Sequence, residues 1–157
     1  MKLQRDLREF VELLNSHGIE YLVVGGHAVS FHGHPRFTGD IDFFIRRSPE
    51  NAARLLAVLA VFGFGDLGLT STDFMTQDRV VQLGRPPNRI DLLTGVSGVT
   101  FEEAWATRVA ATLDGLPVCF PSREVLLRNK DASGRAKDLA DAAILRRRPP
   151  MQETPDS

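Results

Sequence analysis

The fold is decided by Leu22-Val23-Val24-Gly25-Gly26 and, after a thirteen-residue spacer, by Asp40-Ile41-Asp42-Phe43. Residues 19–24 are β-branched and aromatic and stop at two glycines, which predicts a buried strand that breaks into a tight turn. A short helix over residues 27–31 and a second strand over residues 40–45 are expected to follow. Glycines at a strand end let backbone amides approach a phosphate closely, and the next helix adds a positive dipole.

Asp40 and Asp42 are two residues apart in the second predicted strand, so we expect both side chains on one face of the sheet. Two carboxylates this close repel each other unless a cation, a proton or solvent relieves them, and a divalent ion is the common productive answer. An isolated Asp-x-Asp is more often a solvated pair on an edge strand. The glycine turn before it, in a strand, helix and loop context, favours the functional interpretation.

Residues 24–43 resemble the signature of the nucleotidyltransferase fold of the DNA polymerase beta superfamily, in its compact bacterial branch that includes nucleotidyltransferase-type toxins and antitoxins. The resemblance implies an α+β fold in which helices flank a mixed central β-sheet. It extends more loosely to Asp91, which stands between Ile90 and Leu92 where the family places a third carboxylate on a later strand.

The resemblance implies that Asp40, Asp42 and Asp91 bind two Mg²⁺ ions, which hold the triphosphate of a nucleotide such as ATP. Gly25 and Gly26 would present their amides to the β and γ phosphates. The implied reaction moves a nucleoside monophosphate onto a hydroxyl of an RNA, a protein or a small molecule, and releases pyrophosphate. Asp91 is the best candidate to orient or deprotonate that hydroxyl. Many members have Ser where this chain has Gly26, so triphosphate binding here is expected to depend on amides or on a remote cation.

Three cations are candidates for nucleotide binding: Arg36, Lys130 and Lys137. The two lysines lie in a segment that resembles the Gly-Arg-x-Lys-Asp-Leu-x-Asp element near the end of many compact members. Lys137 and Asp141 are four apart on a predicted helix, so they could equally form a solvated pair. Arg36 could be an ordinary loop arginine, but it stands four residues before Asp40, which favours a role in neutralising or orienting the two aspartates.

Four other residues with reactive side chains favour structural roles. His27, His32 and His34 are poorly aligned for one metal ion, because the first two are five residues apart and the third lies in a loop with Pro35. We therefore interpret all three as structural or loop histidines. Cys119, the only cysteine, lies in an apolar run and is expected in the core, and a lone cysteine excludes a disulfide within the chain.

The remaining pattern predicts one domain over residues 1–148 and a disordered tail over residues 149–157. Helices and strands are expected to interleave around one sheet. The predicted helices cover residues 3–16, 101–107, 122–128 and 134–147, with another that begins at Ser48-Pro49-Glu50 and stops at Gly63. The predicted strands form a hairpin of residues 80–83 and 90–93, and a pair around Asp114-Gly115.

Charge and hydropathy limit the partners. Nineteen Lys and Arg against twenty Asp and Glu give a net charge of -1, so no global positive field favours nucleic acid. No signal peptide or membrane span is predicted, which makes the cytoplasm the expected location.

An alternative function stays open: a non-catalytic antitoxin or regulatory module that keeps the fold and binds a nucleotide or a protein. The small size favours an acceptor docked by a second copy of the chain or by a cognate toxin or antitoxin.

Overall fold

A four-stranded mixed sheet lies at the centre of the protein, whose computed structural model describes residues 3–35, 39–85 and 88–147. Its strands are β1 (Tyr21–Val24), β2 (Ile41–Ile45), β3 (Val80–Leu83) and β4 (Ile90–Leu93), in the spatial order β1-β2-β4-β3. The two central strands, β2 and β4, are parallel, and each outer strand runs antiparallel to its neighbour. The predicted hairpin of residues 80–93 is confirmed as β3 and β4.

This topology brings four chain segments to one edge of the sheet. The parallel strands β2 and β4 begin at that edge, and the antiparallel strands β1 and β3 end there. The glycine turn after β1, the residues before β2 and the loop that enters β4 are therefore neighbours, although up to 65 residues of sequence separate Gly25 from Ile90. The edge is where the fold concentrates the polar residues that the sequence singles out.

Seven α-helices and a two-stranded ribbon surround this sheet in the described ranges. The helices are α1 (Arg5–Ser16), α2 (Gly25–Phe31), α3 (Pro49–Phe62), α4 (Ser71–Met75), α5 (Phe101–Ala106), α6 (Arg123–Ser133) and α7 (Ala136–Arg147). A 3-10 turn covers Gly65–Leu67, and the ribbon is β5 (Val109–Leu113) with β6 (Leu116–Phe120). The sequence missed α4 and the 3-10 turn, started α2 two residues late, and ended α6 five residues early.

The interpretation that all strands share one sheet is wrong, because β5 and β6 pair only with each other. Their turn explains this: Asp114 and Gly115 both have positive φ, at 51° and 77°, the backbone of a tight two-residue hairpin. The hairpin satisfies its hydrogen bonds locally and packs beside β1 without joining its ladder.

Each face of the central sheet carries an apolar cluster. Because successive side chains of β2 alternate, Phe43 enters the larger cluster, where its ring lies 5.7 Å from that of Phe10 of α1, while Phe44 packs edge-on against Phe101 of α5. Asp42 is two residues from Phe44 on β2, so their side chains lie on the same face of the sheet. The Asp42 carboxyl is therefore on the face of the smaller apolar cluster.

The helix boundaries show why the sequence was informative. Ser48 accepts a hydrogen bond from the amide of Asn51 at the start of α3, and Gly63 ends that helix with φ of 97°.

No helix in the described part of the chain is long and apolar enough to cross a membrane. The tail predicted over residues 149–157 lies outside the described residues.

Candidate active site

Asp42 and Asp91 are register partners on the parallel strands β2 and β4. Both are the second residue of their strand, so they stand side by side at the edge where β1 ends. Asp40 differs from its prediction: β2 begins only at Ile41, and Asp40 precedes the strand. The reason is local, because the Asp40 carboxylate accepts a hydrogen bond from the backbone amide of Arg89 at 2.9 Å, which binds it to the loop before β4.

Arg89 is a cation of this cluster that was not among the predicted site residues. Its Nε and Nη2 donate to the two oxygens of Asp91 at 2.9 and 3.1 Å, a two-pronged ion pair. Its Nη2 also lies 3.8 Å from an oxygen of Asp40. The signal was present as Arg89-Ile90-Asp91, because residues two apart along an extended chain share a face.

Asp42 carries most of the electrostatic cost of the cluster. The pKa of Asp42 is raised to about 7, first by burial and then by a hydrogen bond to Asp91 and the charges of Asp91 and Asp40, while Arg89 opposes the shift. The Asp42 carboxyl is therefore partly protonated near neutral pH.

Gly25 forms the opposite wall of the cluster. Its φ is 67°, in the left-handed region, and an added Cβ would overlap with Oδ2 of Asp42 and lie 2.9 Å from its Cγ. The first residue of α2 is thus pressed against the carboxyl. The amides of Gly25 and Gly26 lie in the first turn of α2, where backbone N–H groups have no acceptor within the helix. Contact of these amides with a phosphate stays a prediction.

The histidines take no part in a metal cluster among the described residues. The ring of His32 is buried, and its Nε2 lies 2.7 Å from the carbonyl oxygen of Pro121, a contact that joins α2 to the segment after β6. His34 lies in the loop after α2 and is half-buried.

His27 is 3% exposed, and neither ring nitrogen has a hydrogen-bond partner among the described residues. Burial lowers the pKa of His27, although the Asp40 carbonyl opposes the shift, so a neutral ring is expected. Cys119, on β6, is half-buried against the smaller apolar cluster.

Of the three predicted nucleotide-binding cations, Lys130 has a structural role. It is 6% exposed, and its Nζ donates to Asp138 at 2.8 Å and to Asp141 at 3.3 Å, which joins α6 to α7. An ammonium held by two buried carboxylates is not presented to a triphosphate. Lys137 is exposed on α7, and its contact with nucleotide stays a prediction. Arg36 lies outside the described residues.

We expect Lys130→Met to lower the free energy of unfolding by about 3 kcal/mol, because it removes the buried ammonium that joins Asp138 and Asp141 and leaves Asp138 paired with the exposed Arg135. Burial alone would raise the pKa of Asp138, but hydrogen bonds from Lys130 and Ser133 outweigh it and hold the pKa at about 2. The stability that this carboxylate contributes is present above pH 4 and lost as the pH falls towards 2. The difference between the two proteins should therefore shrink over that range.

Urea denaturation checks this prediction, with Lys137→Met as the matched control. The control makes the same Lys-to-Met replacement at an exposed position, and it should change the free energy of unfolding by less than about 0.5 kcal/mol. Equal effects of the two substitutions would contradict the structural role of Lys130.

The donor set suits a divalent ion in its chemistry. Mg²⁺ prefers oxygen ligands, and Asp42 and Asp91 offer carboxylates side by side. The raised pKa of Asp42 reflects burial and neighbouring negative charge, and a metal ion would offset both. Across the residues that the structure describes, no three His, Cys, Asp or Glu side chains are already grouped to hold a metal. The Arg89 guanidinium contacts both Asp91 and Asp40.

Solved structures of similar shape define the class of fold. One is a candidate nucleotidyltransferase from Thermotoga maritima, with a TM-score of 0.54 and 14% sequence identity over 91% of this chain and 89% of that one. Another is ANT(2″)-Ia in complex with adenylyl-2″-tobramycin, with a TM-score of 0.55 and 14% identity over 88% of this chain and 84% of that one. Such similarity shows a nucleotidyltransferase fold, as expected from residues 24–43.

The family is shown by the sequence itself. Residues 3–138 match the model of the family described as "Nucleotidyl transferase of unknown function (DUF2204)". The match covers most of the chain, so the protein belongs to this family of nucleotidyl transferases. A comparison with curated protein sequences finds no match.

Proposed function

We propose that this protein is a magnesium-dependent nucleotidyltransferase that moves a nucleoside monophosphate from a nucleoside triphosphate onto a hydroxyl of a separate acceptor. The observation that carries the proposal is the register pairing of Asp42 with Asp91 at the edge where the Gly25 turn meets the sheet. A solvated Asp-x-Asp on an edge strand, the competing interpretation, does not describe these residues, because β2 is central and the Asp40 carboxylate accepts a hydrogen bond from the backbone amide of Arg89.

In the proposed reaction an acceptor oxygen attacks the α-phosphorus, the bond to the bridging oxygen of the β-phosphate breaks, and pyrophosphate leaves. Asp42 and Asp91 would hold Mg²⁺ and Asp40 would complete the ligand set, with two ions expected; the metal supplies positive charge at the attacking and leaving oxygens. The carboxylate of Asp91 takes the proton of the acceptor hydroxyl. The amides of Gly25 and Gly26 orient the triphosphate, and the apolar wall at Phe44 limits the access of water.

The acceptor is the open part of this proposal. The family and the shared fold support nucleotidyl transfer in general. ANT(2″)-Ia, seen with an adenylylated aminoglycoside, shows that a protein of this fold can hold a small-molecule product. An RNA, a protein and a small molecule are the three classes to test. A role in a toxin-antitoxin pair has only the sequence resemblance behind it, and a non-catalytic partner-binding function is the outcome expected if no transfer occurs.

Label transfer tests the proposal directly. Each of four α-labelled nucleoside triphosphates is incubated with Mg²⁺ and, separately, with total bacterial RNA, protein and small-metabolite fractions. We expect label to appear in one fraction with the native protein and to be lost with Asp40→Ala/Asp42→Ala, because the proposed metal ligands are gone. Chelation with EDTA should abolish the same signal.

The matched control is Asp66→Ala, which removes an exposed carboxylate from the 3-10 turn, an element outside the four segments of the active edge. It should leave transfer unchanged. Transfer that persists in the Asp40→Ala/Asp42→Ala protein would contradict the assignment of these carboxylates. A native protein that binds a partner but no nucleotide and no divalent ion would favour the non-catalytic module.

A further inference from the structure

The Arg89 guanidinium is bound to the Asp91 carboxylate, which a metal ion would need as a ligand. Its guanidinium engages both oxygens of Asp91, at 2.9 and 3.1 Å, with a geometry in which each nitrogen has its own acceptor. The same Nη2 lies 3.8 Å from Asp40. Two of the three proposed metal ligands are therefore already neutralised by one side chain of this chain.

The backbone and the side chain of Arg89 have separate contacts. The backbone amide donates to Oδ1 of Asp40, and the backbone carbonyl accepts from the amide of Ile41, so the main chain is fixed to β2. The side chain is 29% exposed, whereas that of Asp91 is only 10% exposed. The guanidinium thus lies on the solvent side of the carboxylate it binds. It can leave towards solvent while the backbone keeps Asp40 in place.

We propose that Arg89 exchanges partners: its guanidinium neutralises Asp91 and Asp40 before substrate arrives, and binds the triphosphate when a metal ion takes the carboxylates. This inference rests on the proposed function. It has a physical basis, because a guanidinium and a metal ion compete for the same lone pairs, and because the planar fork of arginine binds phosphate oxygens as readily as carboxylate oxygens.

The exchange also explains how Asp40 and Asp91 can serve as ligands although they are not grouped for a metal now. Without a cation, three carboxylates at one edge would repel each other, because Asp42 and Asp91 are register partners and Asp40 shares the Arg89 guanidinium with Asp91. Arg89 lowers this repulsion in the free protein. Because a bound triphosphate brings its own negative charge to the same edge, the guanidinium has a second partner within reach when it is displaced.

The first test measures binding of Mn²⁺ alone, by electron paramagnetic resonance of the free ion, in the absence of nucleotide. Removing a competing positive charge should tighten binding, so Arg89→Gln is expected to bind Mn²⁺ about tenfold more tightly than the native protein. The matched control is Arg85→Gln, which removes the same charge from an exposed position of the same loop and should change affinity less than twofold. A purely structural role for Arg89 gives no tightening.

The second test measures binding of a non-hydrolysable ATP analogue with saturating Mn²⁺, by equilibrium dialysis. Arg89→Gln should weaken the analogue about tenfold, because the phosphate groups lose one charged partner. Arg89→Lys keeps the charge without the planar fork, so its affinity for the analogue should lie between those of the native protein and Arg89→Gln. Circular dichroism and urea denaturation establish that each variant is folded, so a loss of binding is not a loss of structure.

The outcomes separate this inference from the proposed function. If Asp42→Asn abolishes Mn²⁺ binding while Arg89→Gln leaves it unchanged or weakens it, the metal site stands and the exchange is wrong. If the native protein and Asp42→Asn bind Mn²⁺ alike, the proposed metal site itself is wrong. Tighter metal binding together with weaker nucleotide binding in Arg89→Gln supports the exchange, since a merely structural residue would not move the two affinities in opposite directions.

Discussion

Asp42→Asn is expected to make the metal-free protein more stable at pH 8, by about 2 kcal/mol, while it lowers nucleotidyl transfer about 1000-fold. The two effects have one cause. Asp42 is a half-buried carboxyl beside Asp91, and Asp40 adds negative charge nearby. This arrangement favours metal binding but lowers the stability of the metal-free protein. Asparagine keeps the size of the side chain, removes the charge and can donate a hydrogen bond to Asp91.

The pH dependence of this effect follows from the pKa of Asp42, which is about 7 in the folded protein against 3.8 for an ordinary aspartate. Between these values the folded state binds a proton that the unfolded state does not, so stability falls as the pH rises from 4 to 7. A shift of this size corresponds to about 4 kcal/mol above pH 7, of which we expect asparagine to recover half. At pH 4 the advantage of the variant should vanish.

Urea denaturation of the two proteins in EDTA, at pH 4, 6 and 8, measures this dependence. Asp66→Asn, at an exposed position on the 3-10 turn, is the control and should shift stability by less than about 0.5 kcal/mol at every pH. A native protein that is the more stable of the two at pH 8 without metal would contradict the raised pKa. Retained transfer in Asp42→Asn would contradict its catalytic role separately.

The parts of this site that local patterns encode were predictable from sequence. The strand that stops at Gly25, the strand that carries Asp42 and the hairpin that carries Asp91 each have a short-range signal in periodicity and turn residues. Ser48 and Gly63 likewise mark the two ends of α3. Adjacency of Asp42 and Asp91 did not follow from these signals. It depends on the parallel pairing of β2 with β4 across 49 residues, which the family resemblance supplied.

The charge partners could not be predicted in the same way, because they are set by tertiary contacts. Lys130 is 8 and 11 residues from Asp138 and Asp141, and only the turn between α6 and α7 at Gly134 brings the three together. An alternative pairing of Asp141 with Lys137 had the simpler local spacing. Arg89 has a local signal, yet nothing in the sequence says that its backbone also holds Asp40.

Gly25→Ala is expected to lower both stability and activity, because the position allows no side chain for two independent reasons. The residue has φ of 67°, where a Cβ costs about 1–2 kcal/mol. The added Cβ would also overlap with Oδ2 of Asp42, a half-buried group that Asp91 and the turn itself confine. We expect a total loss of about 3–4 kcal/mol in the free energy of unfolding and at least a 100-fold loss of transfer, since Asp42 must move.

Gly134→Ala separates the two reasons, because Gly134 has the same φ of 67° and no atom within 4 Å of an added Cβ. It should cost about 1–2 kcal/mol and leave transfer unchanged. The difference between the two glycine variants then measures the collision with Asp42.

A double-mutant cycle with Asp42→Ala completes the argument for Gly25. Removing the Asp42 carboxyl takes away the two closest atoms and leaves the Cβ of residue 42 at 3.2 Å, so the cost of Gly25→Ala should fall to about 2 kcal/mol in the Asp42→Ala background. Activity stays lost throughout, because the carboxylate is gone. Stability that recovers without activity would show that Gly25 is required for contact with Asp42 as well as for the turn. If the cost of Gly25→Ala is the same in both backgrounds, the close approach of the glycine turn to the carboxyl does not exist, and the geometry of the proposed active edge is wrong.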